Sequence, residues 1–241
     1  MSVLKYLKKI ILPEVDAFIV PLENENKEVK IEFIELKEAW DYFKKEEFEK
    51  ARAIANNHLT DHRNTLQHEA NKIIALTYFR QGDYEKSTSI FERLASNSTN
   101  TDDWFNLVSS LTLISKYSES EIALKKAIAL RANPENKNDI SIPNMRYYYM
   151  QSLKEMEQYQ RAFTQLEVLS DFYTQFTITD STFLYMRGMP FFQHTVDSSK
   201  EILENISPSV SKKWISTLKN GIDNYGKEYL IEFEQKLNLS N

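Results

Sequence analysis

A chain of 241 residues is long enough for one large core or an elongated array of smaller ones, and 41% hydrophobic content fits a folded protein. It contains no cysteine, which excludes a disulfide scaffold, a thiolate metal site and a cysteine nucleophile, and fits a reducing, cytoplasmic setting. The formal net charge of −5 argues against nucleic-acid binding, which depends on basic patches that neutralise phosphates; it suits solubility and would welcome a basic partner.

In chain order, residues 1–12 interleave Lys5, Lys8 and Lys9 with apolar residues, and the longest apolar run there is Ile10 to Leu12. That is far short of a signal-peptide core or a membrane span. The pattern predicts a short amphipathic helix docked on the domain, within an N-terminal capping segment over residues 1–31, and no membrane partner. No proline occurs between Pro21 and Pro134, and Gly82 is the only glycine in that interval. Strands need frequent turns, and turns recruit glycine or proline, so the fold class is all-α.

The first helical hairpin is expected over about Ile34 to Leu59, with Ala39, Tyr42, Phe48, Ala51 and Ala55 as packing residues and a turn at Lys45-Glu46-Glu47. A second spans Ile73 to Leu94, broken at Gln81-Gly82-Asp83. There Gly82 supplies a left-handed helix cap and Asp83 the next N-cap. A third starts at Asn100-Thr101-Asp102 and carries Trp104, Leu107, Val108 and Leu111. It turns at Ser115-Lys116-Tyr117 and continues through Leu124, Ala127 and Ile128, with Ser118 and Glu121 read as a capping box. A fourth runs from Arg146 to Leu169 with Tyr149, Met150 and Leu153, then Tyr159, Ala162 and Leu166, after a longer polar loop over 133–139. Tyr84 and Tyr117 are 33 residues apart, and Tyr159 follows 42 residues later.

Past Phe176 the period fades. Met186 to Pro190 reads as a break, Asp197 or Ser198 as the start of one helix, Ser207-Pro208 as the start of a second ending before Gly221, and Lys227 to Leu237 as a third. These predict C-terminal capping helices over residues 177–241, flanking a repeat array over 32–176.

The spacing and residue types resemble the tetratricopeptide repeat (TPR) family, whose unit is two antiparallel helices in about 34 residues. The match rests on Ala39, Tyr42, Phe48 and Ala51 in the first hairpin and on Ala75, Tyr78, Gly82, Tyr84 and Phe91 in the second. It continues with Trp104, Leu107, Tyr117 and Ala127 in the third, and Tyr159 and Ala162 in the fourth. Ser87 and Ser120 stand where the family has alanine, and the closing proline appears only near Pro134. The resemblance implies a right-handed superhelical array of about four hairpins with extra terminal helices. It also implies binding of another protein or peptide rather than catalysis.

In such an array the first helices of successive hairpins line a groove. Register places Trp40, Phe43, Leu76, Phe79, Phe105, Ser109, Tyr147 and Gln151 there, either as anchors for a partner or as core covered by the terminal helices. Some family members grip a C-terminal carboxylate with Lys, Asn and Arg side chains. Lys72, Arg80 and Lys154 lie near suitable positions, but Leu76 and Ser109 stand where the asparagines would be. His58 and His62 have the spacing of two metal ligands, yet a turn at Thr60-Asp61 separates them, so no metal is expected. No phosphate loop, dinucleotide fingerprint or nucleophile elbow is present, and neither enzyme activity nor a cofactor is expected. The sequence points to an adaptor, assembly chaperone or inhibitor, a toxin-neutralising immunity protein among these. The alternative is a peptide-responsive regulator that changes shape on binding. The molecule would be a monomer or a homodimer.

Overall fold

A helix that must reverse within two or three residues leaves its last carbonyls without partners and needs a backbone step that right-handed geometry does not supply. The chain answers this in the same way four times. The computed structural model describes residues 27–133, 136 and 140–237, with side chains from residue 34. The expected N-terminal capping segment and most of the loop 133–139 lie outside the described residues. The first eight helices are α1 (Lys27–Lys44), α2 (Phe48–Asn56), α3 (Asn64–Gln81), α4 (Tyr84–Ser96), α5 (Thr101–Leu113), α6 (Tyr117–Arg131), α7 (Ile142–Glu155) and α8 (Tyr159–Phe176).

Between the members of each pair stands one residue with positive φ: Glu46 (62°), Gly82 (84°), Ser115 (62°) and Glu157 (56°). Around it the same two backbone bonds recur. The amides of Glu47, Asp83, Lys116 and Gln158 reach back to the carbonyls of Tyr42, Tyr78, Leu111 and Leu153, at 2.8–3.0 Å. The amides of the left-handed residues themselves bond Phe43, Phe79, Thr112 and Lys154. This is the paired-bond Schellman cap, and it satisfies carbonyls that a bare helix end would strand.

The packing follows from the turn. Two residues after the left-handed position each second helix opens on an aromatic, namely Phe48, Tyr84, Tyr117 or Tyr159. Five residues after it stand Ala51, Ser87, Ser120 and Ala162, each fully buried; seven before it stand Ala39, Ala75, Val108 and Met150, likewise fully buried. A small residue on the second helix lets the two backbones approach, and the third hairpin records how closely. Ser120 Oγ donates to the Val108 carbonyl at 3.2 Å and bonds Thr112 Oγ1 at 2.7 Å. Ser87 occupies the same place in the second hairpin, but its hydroxyl has no partner among the described residues.

Four further helices follow: α9 (Ser181–Met186), α10 (Phe192–Glu204), α11 (Pro208–Gly221) and α12 (Asn224–Gln235). The described residues form helices and no strand, as the glycine and proline distribution requires. Several boundaries differ from expectation. Ser118 lies inside α6 rather than capping it. Helix α10 starts at Phe192 without a side-chain cap, ahead of the Asp197 or Ser198 start signal. Burial of Phe192, Thr195 and Val196 holds that first turn, a tertiary effect that no capping residue announces.

The chain divides into two compact units, Met1–Ala123 and Leu124–Asn241, the boundary falling within α6. In the first, α1 packs on α2 and α3, α2 on α3, α3 on α4 and α4 on α5. In the second, α7 packs on α8, and α10 packs on both of them, as α3 does on α1 and α2. Helix α11 lies on α8 and α10, and α12 on α10 and α11. Polar contacts fix this second unit. The buried Tyr173 hydroxyl donates to the Pro190 carbonyl and meets Thr195 Oγ1, both at 2.8 Å. Trp214 Nε1 donates to Ser170 Oγ at 2.8 Å. Asp223 accepts from the Thr179 amide and hydroxyl while capping α12 through the Gly226 amide.

Two stability measurements check this account. Gly82→Ala, which puts a Cβ on a left-handed residue, should lower unfolding free energy by about 1 kcal/mol in urea titration; an unchanged midpoint would show that the turn tolerates a side chain at no cost. Ser87→Ala removes a buried, unpaired hydroxyl and should leave stability equal or up to about 1 kcal/mol higher, whereas Ser120→Ala should lose about 0.5–1.5 kcal/mol. Equal losses in the two variants would contradict the different roles read from their hydrogen bonding.

Candidate functional site

The register that defines the expected groove places eight residues in the first unit, on α1, α3 and α5. Four of them are core: Phe43, Phe79, Leu76 and Phe105 are 1, 3, 5 and 8% exposed. Trp40 is half-buried and stands edge-on to Phe43, with centroids 5.4 Å apart, and Phe79 meets Tyr84 in the same manner at 5.2 Å. Ser109 is buried and bonds back to the Phe105 carbonyl. The Arg80 guanidinium lies over the Phe43 ring and donates to Glu46 Oε1 at 3.0 Å, which ties α3 to the left-handed residue of the preceding turn. Lys72 is half-buried, 3.6 Å from Glu69, whose charge holds the lysine above its ordinary pKa. Solvent therefore reaches Trp40, Lys72 and the edge of Arg80, while the aromatic residues between them pack inward.

In the second unit, α7 carries Tyr147, Gln151 and Lys154. Tyr147 is half-buried, its hydroxyl 3.2 Å from Ser198 Oγ on α10 and its ring edge-on to Tyr148. Burial pushes the Tyr148 hydroxyl up to about 12. Gln151 is 1% exposed, and its carbonyl oxygen has no donor among the described residues. Lys154, in the last turn of α7, is half-buried. The side of α7 that bears Tyr147 thus meets the chain's own α10.

The structure also assembles polar clusters that spacing along the sequence does not announce. His68 on α3 and Asp103 on α5 are 35 residues apart, and His68 Nε2 sits 2.9 Å from Asp103 Oδ2. The Ser98 hydroxyl donates to the same carboxylate oxygen. Both groups bond one carboxylate and not each other, so this is a helix-to-helix clamp rather than a nucleophile–base relay. Arg52 is buried on α2, donating to Thr77 and Gln81 and pairing with Glu49, with its guanidinium 4.6 Å from the Tyr78 ring centre. The helical pattern assigns such a position to packing, and an arginine fills it by stacking on an aromatic face.

The potential metal ligands are also rearranged. The His62 side chain is 89% exposed and does not belong to the ligand cluster that the fold assembles. Instead His58, Glu35 and Asp61 bring one ligand atom each within 4.8 Å of one another. Arg63 already occupies this place. Its guanidinium donates to both oxygens of Glu35 (3.0 and 2.6 Å) and both of Asp61 (2.9 and 3.0 Å), and holds the Asp61 carboxyl well below the usual carboxylate range. The charge a cation would bring is present as an arginine.

The His68 clamp has a pH signature. The hydrogen bond to Asp103 raises His68 above its ordinary value against the opposing effect of burial. Burial works against the Asp103 charge, yet the bonds from His68 and Ser98 keep its carboxyl low. A histidine raised in the folded state adds stability below its unfolded pKa of about 6.5, lost as pH rises through the folded value. The lowered Asp103 adds stability above about 4, lost as pH falls through its own folded value. Wild type should therefore be more stable against urea at pH 6 than at pH 8.5, and His68→Gln should shrink that difference. An identical pH dependence in the variant would remove the clamp from the account. No protein-family profile matches this chain, and no curated protein is significantly similar to it in sequence.

Proposed function

We propose that this chain is a TPR-type, non-catalytic binding module that engages another protein or peptide as an adaptor, assembly chaperone or inhibitor, with neutralisation of a basic toxin as one concrete form. The observation that carries the reading is the fourfold recurrence of one hairpin. A left-handed turn residue, an aromatic two positions later and a fully buried small residue five positions later return in α1–α2, α3–α4, α5–α6 and α7–α8. Chains of this kind stack hairpins in a right-handed superhelix and use the surface between successive first helices to bind. The net charge of −5 favours a basic partner in the cytoplasm. Of the groove register, Trp40 and Lys72 are reachable in the first unit and Lys154 in the second, so these, rather than Phe79 or Phe105, are the side chains a partner would meet.

The test is affinity capture from the native lysate with mass spectrometry, comparing wild type with Trp40→Ala/Lys72→Glu after circular dichroism shows the variant folded. One protein retained stoichiometrically by wild type and at least tenfold depleted on the variant supports a binding module that uses α1 and α3. Capture of nothing above background by wild type sinks the reading.

A further inference from the structure

Helix α11 ends on an asparagine followed by a glycine, Asn220-Gly221. The glycine is a packing requirement. Gly221 lies against Thr174 of α8, and a Cβ at 221 would stand 2.8 Å from the Thr174 Cβ, well inside van der Waals contact. Only a residue without a side chain lets the end of α11 sit this near α8. The asparagine is under no such constraint. Asn220 is exposed, and its carboxamide takes part in no hydrogen bond or ion pair among the described residues.

Such a dipeptide is chemically reactive. The carboxamide carbon of an asparagine can close a ring with the amide nitrogen of the next residue, and a side chain on that residue ordinarily screens the approach. The packing that demands glycine at 221 has removed the screen.

We propose that Asn220 is a site of spontaneous backbone modification, in which the Gly221 amide closes on the Asn220 side chain at a rate controlled by the junction between α11 and α12. The Gly221 nitrogen attacks Asn220 Cγ. A new N–C bond forms, the Cγ–Nδ2 bond breaks, and the side-chain nitrogen leaves as ammonia with the proton that the Gly221 amide gives up. Solvent water then opens the cyclic imide at either carbonyl. Cleavage at Cγ gives aspartate; cleavage at the α-carbonyl gives isoaspartate, with one extra methylene in the main chain.

The gate follows from the fold. A helical side chain leans back toward the preceding turn, away from the following amide, and that amide is itself bonded one turn back. Cyclisation therefore needs the last turn to open. Helix ends open most readily, but this one is held on both sides of the dipeptide. Leu218 and Ile222 are 2 and 4% exposed, Lys219 pairs with Glu234 of α12, and Asp223 holds the Thr179 amide and hydroxyl. Either product puts a carboxylate at the negative end of the α11 dipole, and isoaspartate also displaces Gly221 from Thr174. The modified chain attaches α12 more loosely. The site does not depend on the binding-module reading and stands or falls without it.

The test is ageing of the full chain at mildly alkaline pH, below its unfolding temperature, read by peptide mass spectrometry and by enzymatic methylation of isoaspartate. Conversion of Asn220 to the acid, with methyl-accepting isoaspartate at that position, is expected in wild type. It should be absent from Asn220→Gln, whose longer side chain closes its ring far more slowly. The native rate should be at least about tenfold below that of the same chain unfolded in urea, and several-fold higher in Asp223→Ala. Thr179→Val, which keeps the α12 cap, gives the same reading if Asp223→Ala fails to fold. No conversion in the native chain, over many times the period in which the urea-unfolded chain converts, overturns the site. Equal native and unfolded rates, or a wild-type rate in the folded junction variant, overturn the gate. A converted chain that unfolds in urea as late as a fresh one overturns the loosening of α12.

Discussion

Reversing an α-helix within two or three residues requires one backbone step into the left-handed region, and four hairpins depend on that step being available at Glu46, Gly82, Ser115 and Glu157. Glycine takes it freely; the other three positions accept a penalty of roughly 1–2 kcal/mol each. The paired back-bonds to Tyr42, Tyr78, Leu111 and Leu153 offset this, because each satisfies a helix-end carbonyl that the helix itself leaves without a partner. Once the step is fixed, the aromatic at the start of the second helix and the small residue three positions later have determined places. The hairpin is set by its turn, and the unit by the stacking of its hairpins.

Small residues at the crossing make the turn usable. Ala51, Ser87, Ser120 and Ala162 are each fully buried, and Ser120 reaches the backbone of the partner helix. A larger side chain at any of them would hold the helices apart and open the turn. In the third hairpin the serine hydroxyl finds Val108 and Thr112, while that of Ser87 in the second has no partner among the described residues. Family resemblance and physical chemistry meet at these positions without being the same argument. The resemblance says alanine is usual there, and the packing says why nothing bulky would do.

Polar groups do a different task in each unit. In the first they join helices across about one repeat period: His68 to Asp103, Arg80 to Glu46, Arg63 to Glu35, Arg52 to Thr77 and Gln81. Most are charge-assisted and partly shielded, and each leaves its carboxylate or amide occupied. In the second unit neutral interior bonds through Tyr173, Trp214 and Thr195 stand beside charge-assisted ones from Thr179 to Asp223 and from Arg146 to Gln165.

The sequence by itself determined the helical class, the four hairpins and their turn residues, because these follow from local rules: spacing of apolar residues, caps such as Asn100 and Asp83, and the scarcity of glycine and proline. It also placed Trp40, Phe79, Phe105 and Tyr147 on one register. Only the tertiary structure decided which of them are surface, since a helix face is apolar for the same reason whether it waits for a partner or already has one. Phe79 and Phe105 proved to be core. The start of α10 at Phe192, the placing of Arg63 between two carboxylates and the unpaired Gln151 were likewise beyond local reading. Each depends on neighbours distant in the chain, and no spacing rule carries that information.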